Sequence, residues 1–124
     1  MAEGALRYAA GHLGERHQFG RPLATFQAVQ HQLADCYIDI DAMHVTLWHA
    51  VDALRGGTGA ADAERAALVA KWWTSQGGLN TVHRIQHVHG GIGVDTDYPC
   101  TATSCGASRY RPPWAARGRP RPAR

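Results

Sequence analysis

Residues 26–54 read FQAVQHQLADCYIDIDAMHVTLWHAVDAL and predict a long helix. Apolar side chains recur there every three or four residues, which is the spacing of one buried face of an α-helix. The positions are Phe26, Val29, Leu33, Cys36 or Tyr37, Ile40, Met43, Leu47, Val51 and Leu54. We expect Thr25 to cap the start of this helix and the glycines from Gly56 onward to end it. A stripe about eight turns long needs partner helices to cover it.

Weaker patterns predict one helix on either side. From residue 2 to about residue 17, apolar residues again recur at helical spacing, until Pro22 removes an amide that a continuing helix would need. A third helix starts near Asp62, whose negative charge suits a helix N-terminus, and runs towards His87. Its expected buried residues are Leu68 or Val69, Trp72, Leu79 and Val82. The sequence shows no long strand-like alternation, so we predict an all-α fold, an antiparallel helical bundle with three long helices.

Composition and charge narrow the class of protein. The chain has 124 residues, enough for one core, and contains neither the roughly 20 apolar residues of a membrane span nor a signal peptide. We therefore expect a cytoplasmic protein without membrane association. Its net charge is +3, but residues 1–98 carry seven Lys or Arg against ten Asp or Glu, and the six arginines of residues 99–124 face no acid. A small nucleic-acid-binding protein with a basic tail is a weaker hypothesis, because it would need a basic body as well.

Eight histidines raise the question of a metal site. His87 and His89 are two residues apart, so a helix points them in different directions, and His44 and His49 are five apart. Neither a His-Glu-x-x-His nor a Cys-x-x-Cys motif occurs. We therefore expect hydrogen-bonded histidines at a polar interface and no metal.

Polar residues crowd the start of the long helix. They are Gln27, Gln30, His31 and Gln32. The apolar stripe alone is explained by an ordinary core, but polar groups near a core need hydrogen-bond partners. We expect this end of the bundle to face a ligand or another subunit.

Two motifs frame the second and third helices. Residues 15–23 read ERHQFGRPL and are followed by FQAVQH at 26–31, whereas residues 87–93 read HVHGGIG and are followed by DYP at 97–99. Together they resemble acyl-CoA dehydrogenases, which carry Arg-x-x-Phe-Gly-x-Pro, Phe-Gln, Gln-x-His-Gly-Gly-x-Gly and Glu-Tyr-Pro in this order. The resemblance covers residues 2–99, well under half of a full family member. It implies a partial C-terminal helical domain at residues 1–99, in which the family's fourth helix is missing.

This resemblance also implies a reaction, a cofactor and partners. Acyl-CoA dehydrogenases carry out α,β-dehydrogenation of acyl-CoA thioesters with FAD, and their C-terminal domain holds the adenosine-diphosphate half of a FAD bound mainly by the neighbouring subunit. We therefore expect a contribution to a shared FAD site and to an oligomer interface with dehydrogenase subunits, identical or different. No residue matches the family's catalytic carboxylate, so we assign no catalytic residue and expect the chain to be inactive alone.

The resemblance assigns nine residues to cofactor binding: Arg16, Gln18, Phe19, Gln27, His87, Val88, His89, Gly90 and Gly91. Arg16 is implied to bind the pyrophosphate, which suits a planar cation, and the alternative is a solvated charge at a helix end. Gly90 and Gly91 lack a Cβ, so a cofactor can approach their backbone closely. Phe19 resembles a flavin contact but could equally plug a gap between helices. His87 stands where the family usually has Gln.

Residues 100–124 do not resemble the family, which continues after Tyr-Pro as Leu-His-Arg-Tyr-Phe-Leu-Trp. The genetic code allows a test of a shifted reading frame, in which the third base of each codon is joined to the first two bases of the next codon. From Pro99 onward, the shifted codons are compatible with Leu, His, Arg, Tyr, Phe, Leu and Trp in turn. A natural tail rich in Arg and Pro would explain the composition but not this agreement. We therefore predict that residues 100–124 are a frameshifted, disordered tail.

A second hypothesis accepts the same family resemblance but gives this chain a different role in the enzyme. Some relatives that process sterol side chains pair a catalytic chain with a degenerate one. The IGVD stretch at residues 92–95 is closest to that branch. On this hypothesis the chain is a non-catalytic partner subunit of a hetero-oligomeric dehydrogenase.

Overall fold

The computed structural model describes residues 2–56, 59–95 and 97, and over these residues the predicted all-α fold is confirmed. Helix α1 spans Ala2–Glu15, α2 spans Gln27–Arg55 and α3 spans Ala60–His89. A hairpin of β1 (His17–Gln18) and β2 (Arg21–Pro22), followed by a 3₁₀ turn at Leu23–Thr25, joins α1 to α2. A second 3₁₀ turn, Gly90–Val94, follows α3. The prediction for residues 100–124 lies outside the described residues. No described helix has the length and apolar character needed to cross a membrane.

Helices α2 and α3 form an antiparallel pair. Gln32 in the second turn of α2 contacts His87 near the end of α3, and Asp39, two turns later, pairs with Arg84. Arg84 also lies 3.7 Å from Asp35. These cross-links fix the register of the two helices, so the end of α3 lies beside the start of α2.

The main core lies at this same end and contains residues from all three helices. Its buried members are Leu6, Ala9 and Leu13 of α1, Cys36 and Ile40 of α2, and Ile85 of α3. Burying each large aliphatic side chain contributes about 1.5–3 kcal/mol. Because α1 is about half as long as the other helices, it covers the pair only near the end where α2 begins and α3 finishes.

The predicted buried stripe of α2 is correct in its first half and wrong in its second. Cys36 and Ile40 are buried, whereas Leu47 and Leu54 are 51% and 69% exposed. Near the turn between α2 and α3, the buried cluster consists only of alanines, namely Ala50, Ala53, Ala63, Ala66 and Ala70. Small residues let two helix backbones approach closely, so the larger neighbours on the stripe turn away from the interface.

The same alanine contact overturns part of the prediction for α3. Leu68, Val69 and Trp72 are exposed, because Ala66 and Ala70 occupy the interface instead. Val82, further along the helix, is buried as expected.

The expected cap of α2 is also wrong. Phe26, not Thr25, is the residue before the first helical position, and it makes no side-chain capping bond. The Thr25 hydroxyl instead donates to the Pro22 carbonyl at 2.7 Å and closes the preceding turn. At the other end Gly56 caps the helix as predicted, and its amide donates to the Asp52 carbonyl at 2.7 Å.

A tight hairpin that the sequence pattern did not predict connects α1 to α2. His17 pairs with Pro22 and Gln18 with Arg21, so Phe19 and Gly20 form a two-residue loop. Both loop residues have positive φ, 54° and 79°. A two-residue hairpin loop of type I′ requires positive φ at both positions, a conformation that glycine adopts freely and a bulky aromatic residue rarely does. Phe19 therefore holds a strained backbone conformation, of the kind found at functional sites.

Candidate cofactor site

The polar end of the bundle is held together by three stacked rings. His89, the last residue of α3, is only 6% exposed. Its ring stacks on His12 of α1 with centroids 4.8 Å apart, and on Tyr8 at 5.9 Å. Its Nδ1–H donates to the Ile85 carbonyl at 2.7 Å. Because one motif begins just after His12 and the other contains His89, this stack brings both sequence motifs to the same end of the bundle.

Arg16 continues the last turn of α1 towards the hairpin. Its amide donates to the His12 carbonyl at 2.9 Å, and its carbonyl accepts from the Leu23 amide at 2.8 Å. The residue is exposed, and no ion pair with another described residue engages its guanidinium. The backbone of Arg16 is thus fixed on both sides while its cation remains available.

The hairpin presents an aromatic ring to solvent. Phe19 is 92% exposed and touches Phe26 edge-on, with ring centroids 6.1 Å apart. The Arg21 guanidinium lies 4.0 Å above the Phe26 ring, a cation–π contact that braces the hairpin against the start of α2. The alternative that Phe19 plugs a gap between the helices of this chain is wrong. Gln18, on the adjacent strand, is also exposed.

The start of α2 adds polar groups beside the hairpin. Gln27 is the first residue of the helix and is exposed. The His87 Nδ1–H donates to the Gln32 side-chain oxygen at 3.1 Å, which ties α2 to the end of α3. Gln30 donates to the Ala24 carbonyl at 3.0 Å and holds the loop before the helix.

The backbone of the glycines that follow α3 is accessible from outside the protein. Gly90 ends the helix with φ 66°, and its amide donates to the His87 carbonyl. A Cβ built on either Gly90 or Gly91 would meet nothing within 4 Å. The peptide groups here are therefore accessible to a ligand that approaches along the backbone.

The side chains of two predicted site residues pack inside the protein and are not exposed to a ligand. Val88 is half-buried against the main core, and His89 is buried in the ring stack. Both residues belong to the last turn of α3, just before the open segment at Gly90 and Gly91. Among the predicted site residues, the exposed side chains are therefore those of Arg16, Gln18, Phe19, Gln27 and His87.

The family follows from the sequence match over nearly the whole chain. Residues 1–111 match the family described as acyl-CoA dehydrogenase, C-terminal domain. The chain belongs to the acyl-CoA dehydrogenase family. The acyl-CoA dehydrogenases FadE27 and FadE28 of Mycobacterium tuberculosis are 39% identical over 104 residues and 37% identical over 106. Each match covers 80% of this chain and 28% of the relative, so the chain spans little more than a quarter of their length.

Solved acyl-CoA dehydrogenase structures share the fold of this domain. The structure titled Tcur3481-Tcur3483 steroid ACAD G363A variant matches with a TM-score of 0.79 and 61% identity. The ChsE4-ChsE5 complex from Mycobacterium tuberculosis matches with a TM-score of 0.77 and 37% identity. Both matches cover 86% of this chain and 28% of the solved chain. Acyl-CoA dehydrogenases generally use FAD, and the polar end of the bundle is the place to consider for it.

Sequence reasoning missed Gly93, which shapes the glycine segment of this dehydrogenase domain. Gly93 is buried, and a Cβ there would lie 2.5 Å from the Gln86 carbonyl oxygen. The only signal of it in the sequence is the third glycine of HGGIG, at residue 93. Gly93 lets the turn fold back on the last turns of α3, so it supports the segment that Gly90 and Gly91 expose.

The buried thiol in the core is no candidate nucleophile. Burial raises the pKa of Cys36 to about 11, despite the opposing effect of Arg84. Its Sγ lies 3.9 Å from the Thr81 carbonyl oxygen. Cys36 therefore stays protonated at neutral pH and acts as a packing residue.

Proposed function

We propose that this domain supplies one part of an FAD site in a larger acyl-CoA dehydrogenase, and that a neighbouring subunit supplies the rest. The observation that carries the proposal is the His12–His89 stack, because it joins the Arg16 hairpin and the open glycine segment at one end of the bundle. Family membership supports the choice of cofactor.

The exposed groups at this end fit the adenosine-diphosphate half of FAD. A pyrophosphate needs a permanent cation and close backbone approach, and Arg16 with Gly90 and Gly91 provides both. Gln27 offers a donor and an acceptor for a nucleotide, and the Phe19 ring offers a stacking surface. When bound, FAD accepts the hydride from the β-carbon of an acyl-CoA.

We further propose that the working enzyme is an oligomer and that its substrate is an acyl-CoA derived from a sterol. The solved chain with 61% identity is titled a steroid ACAD, and another neighbour is a complex of two different chains. The chain then serves either as part of the catalytic subunit or as a non-catalytic partner. In both cases it is inactive alone, because the proton acceptor and the flavin ring site come from elsewhere.

Glycine substitutions test the cofactor site directly. In the assembled dehydrogenase that contains this domain, Gly91→Ala adds a methyl group to open space without internal contacts, so the fold should be unchanged. Bound FAD per complex should fall because the backbone can no longer be approached as closely. Gly11→Ala is the matched control, since a Cβ there also meets nothing within 4 Å. Equal FAD content in both variants would contradict the proposal.

The family match extends to residue 111, twelve residues past Pro99, so the proposal that residues 100–124 are frameshifted needs a test of its own. The coding DNA, read one frame over after Pro99, should encode a continued dehydrogenase sequence. Stop codons or unrelated residues in that frame would make the proposal wrong.

A further inference from the structure

Two exposed histidines lie one helical turn apart near the end of α3. His83 and His87 are both exposed and belong to the uninterrupted helix Ala60–His89. Residues four apart on a helix share a face, with Cβ atoms about 5–6 Å from each other. The same spacing places two imidazoles on one zinc ion in His-Glu-x-x-His helices. No other histidines of the chain are three or four residues apart. This pair differs from His87 and His89, which are two residues apart and so point in different directions.

A hydrogen bond from α2 orients one of these rings. The Nδ1–H of His87 donates to the Gln32 side-chain oxygen at 3.1 Å. In the neutral imidazole this leaves the Nε2 lone pair for a metal. Metal-binding histidines commonly donate their other ring nitrogen to an oxygen in this way, which fixes both the tautomer and the ring direction.

The neighbouring charge does not oppose a cation. Arg84 lies between the two histidines in sequence, but it pairs with Asp39 and also lies 3.7 Å from Asp35. Two carboxylates on α2 therefore compensate its positive charge, which would otherwise repel a metal ion.

We propose that His83 and His87 form a surface site for a divalent transition-metal ion such as Ni²⁺, Cu²⁺ or Zn²⁺. Imidazole nitrogen is a preferred ligand for these ions. The described parts of the chain contain no group of three or more His, Cys, Asp or Glu that could hold a metal together. The two histidines are therefore the only protein ligands in this proposal, water completes the coordination, and the ion is exchangeable. The site shares His87 with the proposed cofactor site, but metal binding to the two histidines does not require bound FAD.

Calorimetric titration of the full chain with Ni²⁺ at neutral pH tests the site. The unmodified chain and the control His44→Ala, which removes an exposed histidine of α2, should each show one chelating site. His83→Ala should abolish that site while leaving every proposed cofactor residue untouched. The three cysteines are present in all variants, so any contribution from thiols cancels. Equal Ni²⁺ affinity in His83→Ala and the unmodified chain would overturn the proposal.

Variants of Gln32 test the orienting hydrogen bond. Loss of such an outer partner typically lowers metal affinity about tenfold or more, and Gln32→Ala should do so here. Gln32→Glu keeps an oxygen acceptor for the His87 Nδ1–H and should restore binding. If Gln32→Ala binds Ni²⁺ as tightly as the unmodified chain, the proposed orientation of His87 is wrong.

Discussion

The imidazole rings of His12 and His89 stack with their centroids 4.8 Å apart and their planes 21° from parallel. This contact joins the last turns of α1 and α3 and so unites two motifs that are about 70 residues apart in sequence. Burial, the neighbouring His89 and Arg16 lower the pKa of His12, and Glu15 opposes them only weakly. The neutral form of His12 is therefore the one that the folded state favours.

The first prediction is a loss of stability at acidic pH. Because the pKa of His12 is lower in the folded state than its usual value of 6.5, the unfolded state binds the proton more readily. The stability contributed by neutral His12 is fully present above pH 6.5 and falls as the pH drops through the folded pKa. The thermal midpoint, followed by circular dichroism from pH 8 to pH 5, should decrease over this window.

A non-titrating ring provides the control for this pH effect. His12→Phe keeps an aromatic ring in the stack but removes the ionisable group, so the decrease of the thermal midpoint should become shallower. His44→Phe, at an exposed position of α2, should leave the pH dependence unchanged. A pH dependence in His12→Phe as steep as in the unmodified chain would contradict the assignment to His12.

The second prediction concerns the strained hairpin loop. Phe19 has φ 54° and is followed by Gly20, so Phe19→Asn would create an Asn-Gly loop, which prefers positive φ at both positions. Relief of a left-handed conformation should stabilise the fold by about 1 kcal/mol. That corresponds to a rise of about 4–8 °C in the thermal midpoint for a domain of this size. Gln18→Asn is the control on the neighbouring strand, and a lower midpoint for Phe19→Asn would show that its ring contact with Phe26 outweighs the strain.

The helices were predictable from sequence, but the face that each buries was only partly so. The apolar pattern correctly predicted that Cys36 and Ile40 are buried, in the region where side chains of three helices fill the core. The same rule failed at Leu47 and Leu54, because α2 and α3 approach there through alanines, which carry little weight in a hydrophobic pattern. Helix–helix distance is a tertiary property, and a pattern along one helix does not contain it.

The candidate site was predictable only where a motif could be recognised. Arg16 and the Gly90–Gly91 pair came from that resemblance, and the structure brings their segments to one end through a ring stack that no spacing rule predicts. Gly93 was missed as a separate feature because its role depends on the Gln86 carbonyl, which approaches it only when the 3₁₀ turn folds back. The backbone strain at Phe19 could not be predicted from the sequence either, because it arises from the register of the hairpin.

The third prediction contrasts two glycines of the HGGIG segment. A Cβ at Gly93 would lie 2.5 Å from the Gln86 carbonyl oxygen, so Gly93→Ala must displace backbone. We expect it to destabilise the fold by about 1–3 kcal/mol, as overpacking of a close contact usually does. Gly91→Ala, which meets nothing within 4 Å, should leave the thermal midpoint nearly unchanged. Equal midpoints for the two variants would show that the turn after α3 is not packed as described.

The fourth prediction is that the isolated chain self-associates through its exposed apolar residues. Ile38, Val45 and Trp48 of α2 are 63%, 68% and 67% exposed, and their spacing of seven and three residues places them on one face of the helix. Large exposed apolar patches usually mark association surfaces. Sedimentation velocity should show concentration-dependent oligomers that Trp48→Glu weakens, whereas His44→Glu, one turn earlier on the same helix, should have a smaller effect. A monomer at all concentrations would contradict this expectation.

The last prediction tests Arg16, the most specific assignment in the proposed cofactor site, in the assembled dehydrogenase. If its planar guanidinium binds a pyrophosphate through two parallel hydrogen bonds, lysine cannot replace it fully. Arg16→Ala should then weaken FAD binding by about 1.5–3 kcal/mol, which is roughly a tenfold to hundredfold loss of affinity. Arg16→Lys should fall between Arg16→Ala and the unmodified enzyme.

The control for Arg16 is Arg55→Ala, which removes an exposed arginine at the far end of α2, in the last turn of that helix. If Arg16 is only a solvated charge at a helix end, its removal should cost about 0.3–1 kcal/mol of stability and leave FAD retention equal to that of Arg55→Ala. Measuring bound FAD by absorbance beside the thermal midpoint separates these outcomes, because loss of a cofactor contact lowers FAD affinity with the fold intact. Unchanged FAD content in Arg16→Ala would remove Arg16 from the site while leaving the stacked rings, and the convergence of the two motifs, in place.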